Sequence, residues 1–287
     1  MELRDADLAV RTRGLTKSFR KRTVVDGLDL AIPRGSVYGF LGPNGSGKST
    51  TMKMLLGLLH PSAGQVFLLG EDPWGEARAR LMPRIGSMIE HPPGYGHLTG
   101  AENMRLLARL LNLETTRIDR ALELVRLTDH RDRLQRTYSL GMKQRLGIAM
   151  ALAREPELLI LDEPTNGLDP AGIEEIRELM IHLASGGVTV MISSHLLDEI
   201  DRMADILGVL SQGRLVFQGS RKELFERSIP DLLVVTPQAN AAANLVRGCR
   251  LERNGIRVQG CGQEDAARLI VRLVQEGIPI HEVRRLQ

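Results

Sequence analysis

Residues 42–49, GPNGSGKS, match the pattern G-x-x-x-x-G-K-[ST]. A buried-looking strand (SVYGFLG) precedes them and a helical pattern (KSTTMKMLLGLL) follows, and this context turns a short pattern into chemical evidence. The glycines let the backbone bend around a polyanion. Gly42, Pro43, Asn44, Gly45, Ser46, Gly47, Lys48, Ser49 and Thr50 then line a cradle for a phosphate chain, with the positive end of a helix behind it. Lys48 is the cation for the β- and γ-phosphates, and Ser49 is a hydroxyl ligand for Mg²⁺. The ligand class implied is a nucleoside triphosphate.

A second constellation decides what happens to that ligand. LLILDEPTNGLDP ends an apolar run in Asp162 and Glu163. At the carboxyl end of a parallel strand such acids face the ligand crevice. Asp162 is suited to orient Mg²⁺ through water, and Glu163 to act as general base on the attacking water. Acids at strand ends are often only the solvated start of a loop, but the phosphate loop tips the balance toward chemistry. A third carboxylate, Glu90 in SMIEHPP, ends another apolar run just where two prolines force a turn. What such a charge does depends on what lies across from the turn: if that were a polyphosphate, uncompensated repulsion at a few ångströms would cost several kcal/mol (roughly, at an effective dielectric near 20), and Mg²⁺ or a basic group would have to be close by.

These residues need a scaffold that brings strand ends together. SVYGFLG, RIGSMIE, ELLILD and GVTVMISS are continuous apolar runs, as in strands buried on both faces of a parallel sheet. DLAVRTRGL, VVDGLDLAIPRG and GQVFLLG are shorter and bounded by turn residues, the pattern of antiparallel strands. Helical patterns lie between: GAENMRLLARLLNL, TTRIDRALELVRL, SLGMKQRLGIAMALA and PAGIEEIRELMIHLAS. ILGVLSQGRLVFQGS reads as two strands joined at Gln212-Gly213. The class is α/β with a mainly parallel central sheet, an antiparallel β subdomain and a helical subdomain over about 91–150.

YSLGMKQRLGIAMALAREPELLILDEPTNGLDP, the phosphate loop and the histidine of VMISSHLLDEI together resemble the nucleotide-binding subunit of an ATP-binding cassette (ABC) transporter, over about Gly14 to Gly219. The resemblance implies a P-loop NTPase fold and ATP with Mg²⁺ as ligands. It implies that Phe19 stacks on adenine where most members have tyrosine, and that Ser139 and Gly141 belong to the signature loop that meets the γ-phosphate. Leu140 and Met142 depart from the usual glycine and glutamine there. Asp169 matches the acid that crosses between subunits, and His195 the histidine that positions water. Glu90 stands where most members have the glutamine that touches Mg²⁺; this glutamate form is similar to subunits that protect bacteria against lantibiotic and bacitracin-like peptides. One phosphate loop and one signature loop imply pairing, as homodimer or heterodimer, with a second cassette. The resemblance also implies a separate integral membrane permease as partner, export of a peptide or amphipathic compound, and a cytoplasmic place at the inner face of the membrane. The alternative is a soluble cassette ATPase acting on nucleic acid or ribosomes. It lacks its usual signs here: tandem cassettes, a coiled-coil insertion, and lysine clusters with interleaved aromatics, so no nucleic acid is expected. A small-molecule kinase is disfavoured by the signature and LDEPTNGLDP segments.

Composition sets outer limits. The 287 residues are 25% charged and 43% apolar, with a formal charge of +3, which is ordinary for a globular protein. Acids near the start argue against a secretory signal, no run reaches the roughly 18–20 apolar residues of a membrane span, and the two cysteines, Cys249 and Cys261, suggest no metal site. The cassette is expected over 1–219. Residues 220–287 carry no such motif and read as β-α-β-β-α-β, with a turn at Asn254-Gly255, the order of a small ferredoxin-like unit.

Overall fold

The computed structural model describes residues 4–286 except 21, 228, 229 and 247. Contacts divide the chain into two units, Met1–Arg221 and Lys222–Gln287.

In the first unit the order is β1 (Leu8–Phe19), β2 (Arg22–Leu28), β3 (Ala31–Pro33), β4 (Val37–Leu41), α1 (Lys48–Leu55), β5 (Ala63–Leu68), α2 (Arg78–Leu81), β6 (Ile85–Met88), α3 (Gly100–Leu111), α4 (Thr115–Leu124), α5 (Leu140–Leu152), β7 (Leu158–Leu161), α6 (Pro170–Ser185), β8 (Thr189–Ser194), α7 (Leu197–Ile200), β9 (Ile206–Ser211) and β10 (Arg214–Ser220). The central sheet runs β10-β9-β4-β8-β7-β6. Its pairs are parallel from β9 through β6, and only β10 is antiparallel. Every residue of β4, β7 and β8 is buried, which explains why these strands read as unbroken apolar runs. A second, antiparallel sheet is built on β1, which pairs with β2, β3 and β5. The two sheets share one core that includes Leu15, Val25, Ile32, Phe40, Met52, Leu68 and Ile160.

Two turns set the edges of this framework. The β9–β10 hairpin places Gln212 (φ +48°) and Gly213 (φ +82°) in left-handed backbone, the requirement of a two-residue turn matched to strand twist. Helix α1 ends at Leu55, earlier than the apolar pattern suggests. Gly57 then adopts φ +66°, and a Cβ there would meet the Arg78 guanidinium.

In the second unit α8 (Arg221–Arg227) spans the boundary and leads to β11 (Asp231–Val235), α9 (Ala239–Leu245), β12 (Cys249–Glu252), β13 (Gly255–Val258), α10 (Gln263–Gln275) and β14 (Glu282–Leu286). Its sheet runs β12-β13-β11-β14 with every neighbour antiparallel. Helix α10 buries Ala266 and Leu273 in a core with Leu232, Val234, Ile256 and Cys261, and packs Leu269 against it, while Val271 and Val274 stay exposed. Both cysteines are free thiols, Cys261 packed as a small apolar residue. One expected turn is displaced. Glu252 pairs with Gly255, so the loop residues are Arg253 and Asn254. Gly255 belongs to β13, where a Cβ would lie 1.9 Å from the Val234 carbonyl oxygen. Glycine is required there for close strand approach rather than for the turn.

Candidate active site

The phosphate loop joins β4 to α1 and is clamped from two sides, with a third bond steadying one of the clamps. Gly213 N–H donates to the Ser46 carbonyl (3.0 Å), Gly42 N–H to the Ser194 carbonyl (3.3 Å), and Asp26 N–H to the Gly213 carbonyl (2.9 Å). Gly47 has φ +109°, and a Cβ on it would lie 2.8 Å from the Val24 carbonyl oxygen, so only glycine fits. Helix α1 starts with no side-chain cap, which leaves its first N–H groups for a ligand. The hydroxyl of Ser46 is buried and has no hydrogen-bond partner among the described residues. Lys48 is 5% exposed; its ammonium donates to the Gly42 carbonyl (2.6 Å) and stands 3.3 Å from Glu163 Oε1.

Asp162 and Glu163 follow β7, and His195 follows the neighbouring β8, so one strand end carries the acids and the next the imidazole. Glu163 is the hub. Its Oε1 faces Lys48 and its Oε2 is 3.1 Å from His195 Nδ1. It holds this position from left-handed backbone (φ +47°), a conformation that costs a non-glycine residue about 1–3 kcal/mol and gathers at functional sites. Asp162 is 6% exposed and accepts a 2.6 Å hydrogen bond from Ser193 Oγ, which also accepts from Glu163 N–H (2.9 Å). One serine thereby fixes both acids. Next to it, Ser194 and Thr165 each donate to Glu199 Oε2 at 2.8 Å, and Ser194 accepts from Leu196 N–H (3.0 Å), which pins the turn bearing His195.

The remaining site residues lie at separate places. Glu90 stands two residues past β6, exposed and in left-handed backbone (φ +69°), and its carboxylate is bonded to the Lys53 ammonium. That hydrogen bond, with the charge of Lys53, holds the Glu90 carboxyl below the usual carboxylate range. The loop after it is tied to the helical layer: Tyr95 N–H donates to Asn103 Oδ1 (2.7 Å) and Gln135 Nε2 donates to the Pro93 carbonyl (3.1 Å). Phe19, 47% exposed, ends β1 with Lys17 Nζ over its ring, 5.1 Å from the centroid. Ser139 is the N-cap of α5, accepting from Met142 N–H (3.2 Å), and Asp169 is the N-cap of α6, accepting from Gly172 N–H (3.2 Å). A Cβ on Gly141 would lie 3.5 Å from Leu168, so the signature loop and the loop of Asp169 are neighbours. The structure brings Lys48, Asp162, Glu163 and His195 together; Ser139, Gly141 and Asp169 form a second group.

The family model described as ABC transporter matches residues 25–166. The bacitracin transport ATP-binding protein BcrA of Enterococcus faecalis is 46% identical over 224 residues, 77% of this chain and 72% of that one. The lantibiotic transport ATP-binding protein SrtF of Streptococcus pyogenes is 42% identical over 226 residues, covering 77% of this chain and 97% of its own. Among solved structures, CbiO1 from Clostridium perfringens, part of the CbiONQ ABC transporter complex, superposes with a TM-score of 0.71 at 30% identity over 77% of this chain and 92% of that one. The chain belongs to the ABC transporter family, as an ATP-binding subunit. It is an ATPase whose hydrolysis is coupled to transport, built on the P-loop NTPase fold. No helix among the described residues is long and apolar enough to cross a membrane.

For an ABC subunit the donor set fits Mg²⁺. Among the described residues no cluster of three His, Cys, Asp or Glu side chains could hold a metal, but Mg²⁺ at phosphate sites takes one or two carboxylates, substrate phosphates and waters. The anchored Asp162 carboxylate and the Ser49 hydroxyl on the first turn of α1 supply that kind of set. Sequence reasoning missed Ser193, Ser194, Thr165, Glu199 and Lys53. The two serines directly before His195 were the available signal, masked because they end an apolar run.

Proposed function

We propose that this ATPase subunit works at the cytoplasmic face of the cell membrane and energises export of a peptide antibiotic or similar amphipathic compound through a separate integral membrane permease. Two cassettes, a second copy or a close relative, hold ATP and Mg²⁺ between them. The observation that carries the reading is the Lys48–Glu163–His195 cluster, at 3.3 and 3.1 Å, beside a phosphate loop; the transport named in the bacitracin and lantibiotic relatives supports the cargo class.

Lys48 and the N–H groups of α1 bind the phosphates, and Phe19 offers its ring to adenine. Ser49 and Asp162, with Glu90 nearby, would hold Mg²⁺, which when bound would supply positive charge to offset that of the phosphates. Glu163 takes the proton of the attacking water, with His195 holding its second oxygen. Ser139, Gly141 and Asp169 act on the partner's nucleotide. Closure driven by the γ-phosphate and opening after hydrolysis are the mechanical output, passed on through the loop that joins Glu90 to the helical layer. The unit from 222 onward is an accessory domain of ferredoxin-like type.

The test is recovery from detergent-solubilised membranes. Tagged chain should bring down a polytopic membrane protein, and cells with Lys48→Ala should lose tolerance to bacitracin-like peptides. A chain that stays with RNA or ribosomes and leaves peptide tolerance untouched rejects the reading.

A further inference from the structure

We propose that Lys53 is a positioning residue of the nucleotide site: it holds the Glu90 carboxylate one helical turn away from Ser49 and offsets its charge, so that a glutamate can stand beside a polyphosphate. The inference rests on the ATP-binding reading of Lys48 and Ser49.

Three elements meet at this point. Ser49 and Lys53 are four residues apart on α1, so their side chains share one face of the helix that opens the phosphate loop. Glu90 follows β6, whose last residue, Met88, accepts a hydrogen bond from Asp162 N–H (2.9 Å), so the strand end bearing Glu90 adjoins the one bearing Asp162 and Glu163. The Glu90 carboxylate closes the triangle by bonding to the Lys53 ammonium. It does so from left-handed backbone, which glutamate rarely adopts, and the bond to Lys53 is what locates the exposed carboxylate. The charged groups acting on the Glu90 carboxylate are Lys53, in contact with it and the larger influence, and His91 beside it. Lys53 is the group bonded to the carboxylate that directly opposes its negative charge. Remove the ammonium, and the carboxylate repels an incoming triphosphate. Lysine suits the role because its charge is compact and its stem reaches along the helix.

The test uses the full chain, with ATP affinity and ATPase kinetics measured for Lys53→Met, Lys53→Arg, Glu90→Gln and the Lys53→Met/Glu90→Gln double variant, and melting temperature recorded for each. Lys53→Met should raise KM for ATP about tenfold while kcat stays within about twofold, the signature of lost electrostatic compensation. Lys53→Arg should return KM to the wild-type value. Glu90→Gln on the Lys53→Met background should also restore affinity, because the charge that needed offsetting is gone. Unchanged or tighter ATP binding by Lys53→Met overturns the proposal. So does a double variant as weak as the single one, since Lys53 would then act only through the fold. A wild-type chain that binds ATP no better than Lys48→Ala would instead overturn the underlying reading, before the Lys53 comparison is reached.

Discussion

Two loops in the cassette open helices, and they are finished in opposite ways. The phosphate loop before α1 is clamped by backbone hydrogen bonds from the β9–β10 turn and from β8 partners, buries Ser46 and Lys48, and leaves its helix uncapped. The signature loop before α5 caps its own helix with Ser139 and presents Leu140, 46% exposed, to solvent. The first loop faces inward on Glu163 and His195 in the same chain; the second has Gly167 and Leu168 as neighbours and is turned outward. An uncapped, rigid helix start with a buried cation is a receptor awaiting an anion. A self-satisfied, exposed helix start is a surface that needs no ligand of its own to stay folded, which suits a part that acts on another cassette.

Several substitutions sharpen or break that contrast, beginning with the largest effect. Glu163→Gln keeps the shape and removes the base, so ATP should still bind while hydrolysis falls by at least about a hundredfold, read by single-turnover assay. Near-normal turnover would take the base assignment away from Glu163. Lys48→Ala and Ser139→Ala damage opposite faces. Each chain alone should be nearly inactive, and mixing the two should restore activity through heterodimers that contain one intact site; no gain over the separate chains would mean that the faces do not serve different cassettes. Ser193→Ala removes the hydroxyl that fixes both acids, and hydrogen bonds to charged groups are worth about 1.5–3 kcal/mol, so kcat should drop about tenfold to a hundredfold with ATP affinity little changed. Phe19→Ala should have the smallest effect, about a fivefold loss of ATP affinity from a stacking contribution near 1 kcal/mol, whereas Phe19→Tyr should bind as tightly as the parent.

The legibility of the sequence follows the same divide. The parallel strands were readable because burial on both faces leaves only apolar residues, and the phosphate loop because its glycines are demanded by backbone geometry, as Gly47 shows with its φ of +109°. The pairing of Glu163 with Lys48 and His195 was not legible, since it depends on which strands are neighbours, and β7 beside β8 is not written in either segment. The supporting contacts were out of reach for a related reason. Ser193 and Ser194 are polar residues finishing an apolar strand; Asp162, the partner of Ser193, lies on another strand, while Glu199, the partner of Ser194, is only five residues on, across the turn that bears His195. Lys53 was hidden within a helical pattern, where a lysine usually marks a solvated face, and only the fold shows that it meets Glu90. In the second unit the Asn254-Gly255 pair looked like a hairpin turn, yet Gly255 serves close packing on Val234. Local composition cannot separate those two uses of glycine.

The central claim is that the outward-turned signature loop completes the site of another cassette. Light scattering of the Glu163→Gln chain, with and without saturating ATP and Mg²⁺, tests it most directly. The account predicts a change from the mass of one chain to the mass of two on adding nucleotide, abolished by Ser139→Ala. Particles that keep the mass of a single chain with ATP bound, from a protein whose wild-type form hydrolyses ATP at the same rate per chain at every dilution, would contradict it.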